Sequence, residues 1–168
     1  MGYTNIIHNY ETMKNRIGIE EEKAAELATR LNALLANYQL YYQNLRGFHW
    51  NISGNAFFEL HQKFEELYTD ANNAVDEIAE RILTLGHTPL HTFADYLENA
   101  TISPAKDMHN GTETVTTTVE NLSTLVGLER ELLDLSAEAN DEGTNSLMSD
   151  YINAQEKTIW MLSAYLGK

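Results

Sequence analysis

Five side chains with metal-binding chemistry stand within one stretch of the chain. Two are histidines and three are carboxylates, in the order His49, His61, Glu65, Asp76 and Glu80. A mixed set of imidazole nitrogens and carboxylate oxygens suits iron, manganese or zinc better than calcium or magnesium. The stretch therefore predicts a transition-metal site, provided that these side chains can be brought together.

The last four of these residues belong to one predicted amphipathic helix. From about residue 56 to residue 83 there is no Pro or Gly, and apolar residues recur at intervals of three and four. At 100° per residue, the two pairs His61/Glu65 and Asp76/Glu80 share an arc of roughly a third of the helix circumference. This arc lies beside the apolar stripe, so the helix can bury one side and keep the four side chains available.

The distance along the helix divides the four residues into two pairs. His61 and Asp76 are about 22 Å apart at a rise of about 1.5 Å per residue, and no ion with bonds of about 2 Å spans that gap. One site that uses both pairs needs two copies of the helix, packed antiparallel about a two-fold axis. Such an isologous interface would contain the site twice. The alternative is a plain helical-bundle scaffold in which the five residues form surface ion pairs.

Two motifs in this stretch resemble the signatures of the Dps family, the miniferritins. The first is His-Trp-x-Ile-x-Gly, followed after five residues by Leu-His-x-x-x-Glu, and it spans His49 to Glu65. The second is Asp-x-Ile-Ala-Glu-Arg followed by Leu-Gly-x-x-Pro, and it spans Asp76 to Pro89. Both fit without a gap and in the right order. A looser resemblance continues from about Ala24 to Leu166.

The resemblance implies an all-α fold, a ferritin-like four-helix bundle with a short extra helix in the long crossover between the second and third long helices. It also implies a hollow homo-dodecamer that acts as a ferroxidase, oxidising ferrous iron and storing the ferric mineral. Family members typically use hydrogen peroxide as the oxidant and place their ferroxidase centres at two-fold contacts. Larger ferritin-like proteins instead use Glu-x-x-His pairs inside one bundle, and this sequence contains none.

The same resemblance implies roles for the five residues at the iron site. Asp76 and Glu80 would hold the tighter iron, completed by His49 of the partner subunit. His61 and Glu65 would serve a second, weaker position, partly through water. Many family members have Asp where Glu65 stands. The longer side chain of Glu65 can shift that second position, and both patterns occur in the family. Zinc or manganese can compete for the site.

The pattern of apolar residues and helix-ending signals predicts one domain over residues 1–168. Residues 1–18 form an N-terminal arm, and the bundle covers 20–166. Gly47 predicts the end of the first helix near residue 45, with His49 and Trp50 just beyond it. Helices are predicted at about 20–45, 56–83, 92–100, 111–139 and 145–166. The histidines of the connections, His87, His91 and His109, are assigned no chemistry.

The charge balance bears on partners and location. The chain has 25 acidic and 11 basic residues, a net charge of −14, which opposes direct adhesion to nucleic-acid phosphates. The arm is nearly neutral, unlike the Lys-rich tails through which family members often bind DNA. A DNA-compacting protein with a vestigial metal site is nonetheless the alternative function. The absence of Cys, of a signal peptide and of a long apolar run predicts a cytoplasmic protein that does not contact membranes.

Three acids near the last helix permit two interpretations. Asp141, Glu142 and Asp150 could line an opening through which a closed shell takes up ferrous ions, because carboxylates attract cations. Alternatively, Asp141 and Glu142 cap the last helix and complement its dipole.

Overall fold

The structure is a computed structural model that describes residues 13–168. This part of the chain forms five helices and no strand, apart from an isolated bridge between Lys14 and Glu20. Four long helices and a short one in the connection between the second and third confirm the predicted all-α architecture. Residues 1–12 of the predicted arm lie outside the described part. The helices are α1 (Glu21–Asn51), α2 (Phe57–Thr84), α3 (Phe93–Asn99), α4 (Gly111–Glu138) and α5 (Glu142–Tyr165).

The long helices bury their apolar stripes against one another. α1 packs on α2 and on α4, and α4 packs on α5. On α2 the buried residues are those that the three- and four-residue spacing predicts, which leaves the opposite face of the helix in solvent. Among the largest fully buried side chains are Leu31, Leu34, Leu45, Phe48, Phe64, Ile78, Ile82, Leu125 and Leu132.

The first helix runs further than predicted. Gly47 lies inside α1, which continues to Asn51, so His49 and Trp50 belong to its last turns. The physical reason is Phe48, which is 2% exposed and packs on Phe64 with ring centroids 5.6 Å apart. Burying a Phe stabilises by about 1.5–3 kcal/mol, whereas a Gly within a helix costs about 1 kcal/mol. The packing therefore outweighs the local stop signal.

Buried asparagines of α1 position the crossover that carries α3. The Asn37 Oδ1 accepts hydrogen bonds from the backbone N–H groups of Thr101 and Ile102. The Asn44 side chain accepts from the Ala105 N–H and donates to the Ser103 carbonyl. These bonds satisfy backbone groups of the crossover, among them that of the buried Ile102. The long connection is thereby held against α1 in a defined path.

The last helix begins at Glu142, three residues earlier than predicted. Asp141 is its N-cap, and its side chain accepts a hydrogen bond from the Thr144 N–H. Asp141 is also 1% exposed and forms an ion pair with Arg81 of α2 at 2.5 Å. In the described residues, no helix has the length and apolar character that a membrane span needs.

Candidate metal centre

His49 and His61 are held together by a reciprocal pair of hydrogen bonds. The His49 Nδ1 lies 2.7 Å from the His61 carbonyl oxygen, and the His61 Nδ1 lies 2.8 Å from the His49 carbonyl oxygen. A carbonyl oxygen can only accept, so each Nδ1 must carry its proton and donate it. In the neutral imidazoles, each Nε2 then presents a lone pair, which is the form that ligates a metal.

Aromatic rings enclose this histidine pair on both sides. The two imidazoles stack with centroids 3.8 Å apart and planes at 18°. Phe57 stacks on the outer face of His61 at 5.1 Å, and Tyr68 meets His49 edge-on at 5.4 Å. The extension of α1 places His49 within the helix, where its ring and its carbonyl contact His61 near the start of α2. The rings restrict the orientations open to both imidazoles.

The three carboxylates lie on α2 and are exposed. Glu65 follows His61 by one helical turn, whereas Asp76 and Glu80 stand about 22 Å or more further along the axis. Within residues 13–168, no three histidines or carboxylates come close enough to hold one ion. The fold thus brings His49, His61 and the nearby Glu65 to one end of α2 and leaves Asp76 and Glu80 apart from them.

Trp50 belongs to the last turn of α1 rather than lying beyond the helix, and the structure distinguishes the two interpretations of Asp141. Trp50 is 57% exposed, and the Arg46 guanidinium lies 4.7 Å from its ring centroid, over the indole face. Of the three acids considered for an uptake path, Glu142 and Asp150 are exposed and Asp141 is buried. Asp141 therefore takes the capping role, because its carboxylate is already shared between Arg81 and Thr144.

The structure also shows a buried carboxylate inside the bundle that the sequence analysis did not predict. Glu129 of α4 is 0% exposed, and its Oε1 accepts from the Tyr38 hydroxyl at 2.8 Å and from the Gln155 Nε2 at 2.6 Å. Burial raises the pKa of Glu129 to about 7, although both hydrogen bonds act to lower it. The sequence does carry a signal of this burial, because Glu129 falls on the apolar stripe of α4 between Leu125 and Leu132.

Comparisons with known proteins agree with this architecture. The ferritin-like domain family matches residues 28–168. An uncharacterized protein of Haemophilus influenzae is 50% identical over 151 residues, which cover 90% of this chain and 94% of that protein. The DNA protection during starvation protein of Porphyromonas gingivalis is 41% identical over 151 residues, which cover 90% of this chain and 95% of that protein.

The solved structures extend the comparison to three dimensions. A Dps protein of Vibrio cholerae, described as a member of a broad superfamily of ferritin-like diiron-carboxylate proteins, superposes with a TM-score of 0.90 at 50% identity. The match covers 91% of this chain and 96% of that one. The family match, the sequence identity and the superposition agree, and the chain belongs to the Dps proteins of the ferritin-like family.

Proposed function

We propose that this protein is a ferroxidase that oxidises ferrous iron with hydrogen peroxide and stores the ferric product inside a hollow dodecamer. The observation that carries the proposal is the His49–His61 pair, whose Nδ1 atoms are both committed to backbone carbonyls. Two imidazoles that present their Nε2 atoms, with the exposed Glu65 one turn further along α2, form a donor set that suits ferrous iron.

The proposed site is assembled from two subunits. An antiparallel copy of α2 would set the Asp76/Glu80 end of one subunit opposite the histidine end of the other. Asp76 and Glu80 supply negative charge for the tighter ferrous ion, and His49 of the partner subunit adds a nitrogen ligand. His61 and Glu65 serve the second ion. Each subunit pair then contains two such sites, as two-fold symmetry requires.

The stoichiometry explains why paired iron sites are useful. One hydrogen peroxide takes one electron from each of two ferrous ions, takes up two protons and becomes two water molecules. Both electrons are supplied within one site, so no hydroxyl radical is released. The iron is substrate here, and the ferric product is the material that is stored.

This chemistry accounts for DNA protection without DNA contact. Several of the relatives are named for DNA protection during starvation, and removing ferrous iron and peroxide removes the source of hydroxyl radicals. A net charge of −14 opposes binding to phosphates.

Single substitutions in α2 test the proposed ligands. Asp76→Asn or Glu80→Gln removes a negative ligand at nearly constant volume, and we expect peroxide-driven iron oxidation to fall about tenfold or more in each, since losing a charged ligand costs at least about 1.4 kcal/mol. His61→Ala should cost less, because His61 serves the weaker position. The measurement is the rise in near-ultraviolet absorbance after ferrous iron and peroxide are mixed with the protein.

The matched control is Glu66→Gln, which removes one charge from the neighbouring arc of the same helix. Glu66 is exposed and pairs with Lys63 at 2.5 Å, and such surface pairs contribute about 0–1 kcal/mol. The Glu66→Gln variant should oxidise iron at the rate of the unmodified protein. If Asp76→Asn and Glu80→Gln also keep the full rate, the five residues are surface ion pairs and the proposal fails.

A further inference from the structure

Four aromatic rings stand in one row where α1 meets the start of α2. Phe57, His61 and Tyr68 of the row belong to α2, and His49 of α1 lies between His61 and Tyr68. Successive ring centroids, from Phe57 to Tyr68, are 5.1, 3.8 and 5.4 Å apart. The two imidazoles are therefore the inner members of the row. Phe57 and Tyr68 are its outer members, and neither is a ligand in the proposed iron site.

The helical repeat explains why α2 supplies three of these rings. His61 follows Phe57 by four residues and precedes Tyr68 by seven, so all three side chains lie on one side of the helix. The four-residue spacing lets Phe57 stack directly on His61, with ring planes at 20°. The seven-residue spacing, about 10 Å along the axis, leaves a gap between His61 and Tyr68 that the His49 ring fills.

The hydrogen bonds to backbone carbonyls do not by themselves fix the two imidazoles. Each bond holds one atom, the Nδ1, whereas the torsion that turns a histidine ring has broad minima. Neighbouring rings remove that freedom. His61 has Phe57 on one face and His49 on the other, and Tyr68 closes the row beyond His49. A ligand held in this way is oriented before its ion arrives.

The outer rings are themselves held by packing. Phe57 and Tyr68 are half-buried and pack against the apolar core. Tyr68 also meets Tyr42 of α1 edge-on, with centroids 6.2 Å apart, and the Tyr42 hydroxyl accepts a hydrogen bond from Arg46 at 3.2 Å. The neighbouring Phe58, by contrast, is 81% exposed. The rings that touch the histidines are thus part of the folded framework.

We propose that Phe57 and Tyr68 are positioning residues of the iron site, each for a different ion. Phe57 orients His61, which serves the second, weaker ion. Tyr68 orients His49, which completes the tighter ion of the partner subunit. This inference rests on the proposed function, because the assignment of the two histidines to the two ions belongs to it. Removing either outer ring should therefore weaken the binding of one ion more than that of the other.

Titration of the intact protein with ferrous iron, without an oxidant, tests the assignment. Phe57→Leu keeps an apolar side chain but removes the ring, and it should weaken the second binding step about two- to tenfold, the range expected for the loss of one aromatic stack. Tyr68→Leu should weaken the first step by a similar factor. Phe57→Tyr and Tyr68→Phe retain the rings and should bind both ions normally. Calorimetry under nitrogen measures both steps.

The visible spectrum of bound Co²⁺ distinguishes ligand orientation from general destabilisation. Its bands depend on ligand type and geometry, so Phe57→Leu and Tyr68→Leu should shift them at saturating Co²⁺, whereas a loss of folding stability alone would not. Phe58→Leu is the matched control, because it removes an exposed ring next to Phe57, and it should keep both affinities and the spectrum. Where sedimentation shows that a Leu variant does not assemble, Met, which adapts to irregular space, replaces Leu.

The outcomes separate this inference from the function on which it rests. If Asp76→Asn lowers iron oxidation while Phe57→Leu and Tyr68→Leu behave as Phe58→Leu does, the iron site stands and the positioning role is overturned. The role is also overturned if both Leu variants weaken the same binding step to the same extent. If Asp76→Asn leaves the oxidation rate unchanged, the proposed function fails, and this inference fails with it.

Discussion

The two histidines and Glu129 differ in how their hydrogen bonds are satisfied. Each imidazole of the His49–His61 pair donates to a backbone carbonyl, so one nitrogen is fixed and the other is open. Glu129 has one oxygen with two donors and one with none in the described residues. The histidines are thus oriented by the backbone, whereas Glu129 is a carboxylate whose burial disfavours its charged form.

The raised pKa of Glu129 predicts a pH-dependent stability. The folded pKa is about 7 and the ordinary value is 4.5, so the folded state binds the proton more tightly than the unfolded state does. This stabilisation is fully present below about pH 4.5 and is lost as the pH rises through about 7. In metal-free buffer, Glu129→Gln should therefore be more stable than the unmodified protein at pH 8, by about 3 kcal/mol per subunit.

Thermal unfolding of both proteins between pH 4.5 and 8, at equal concentration, measures this difference. The difference between the unfolding temperatures of Glu129→Gln and the unmodified protein should narrow toward acid pH and vanish near pH 4.5. Glu156→Gln is the control, because that acid is exposed and its removal should shift all midpoints equally. A gap that stays constant with pH would mean that Glu129 is not the titrating group.

The contact between α2 and α5 shows how one ion pair can join two elements. Arg81, near the end of α2, donates from its Nε to the Thr144 hydroxyl and from a terminal nitrogen to Asp141. Asp141 also caps α5. Gly143 leaves room for this guanidinium, because a Cβ there would lie 2.7 Å from the Arg81 Nη1. The start of α5 is therefore held against the end of α2.

Asp141→Ala should destabilise the protein by about 3–5 kcal/mol, since it removes the N-cap and leaves Arg81 without its buried partner. Asp141→Asn should cost less, because Asn caps helices nearly as well as Asp does. Chemical denaturation at fixed protein concentration measures both. The control is Glu142→Gln, an exposed neighbour that should change stability little.

Measuring the rate of iron uptake by these variants distinguishes a capping role of Asp141 from a role in an uptake path. If Asp141→Ala retained full stability but slowed uptake, the carboxylate would serve the path rather than the cap. For the exposed Glu142 and Asp150, attraction of ferrous ions stays a prediction, strongest at low ionic strength, where charges are least screened.

At the scale of the whole molecule, two features of one chain bear on assembly. Its carboxylate pair and its histidine pair are about 22 Å apart on α2. It also exposes large apolar side chains, including Phe58 at 81% and Phe93 at 84%. Covering such side chains with another chain would remove apolar surface from water, which is favourable. Both features favour assembly of several copies.

We expect sedimentation at neutral pH to show a particle of about twelve subunits, as the family resemblance implies. Phe93→Lys places a charge on α3, where burial against another subunit would be costly, and it should shift the particle to smaller species. Iron oxidation should fall together with assembly, because each proposed site needs two subunits. A persistent monomer that oxidised iron at the normal rate would contradict the shared site.

The sequence alone predicted those features of the fold that interactions between nearby residues determine. The spacing of apolar residues on α2 predicts its bounds to within about one residue, and it also predicts the shared arc of His61, Glu65, Asp76 and Glu80, because the helical repeat is fixed by backbone geometry. Motif spacing likewise identified the Dps family, which the comparisons confirm. The assignment of the five residues as iron ligands remains a prediction.

Tertiary structure alone decided the features that depend on packing between helices. Burial of Phe48 against Phe64 carries α1 through Gly47, so that His49 meets His61 across two helices. The approach of α5 to α2 buries Asp141 beside Arg81, and the four-helix arrangement encloses Glu129. In each case the partner is distant in the chain, and the free energy of burial outweighs the local preference from which a sequence is interpreted.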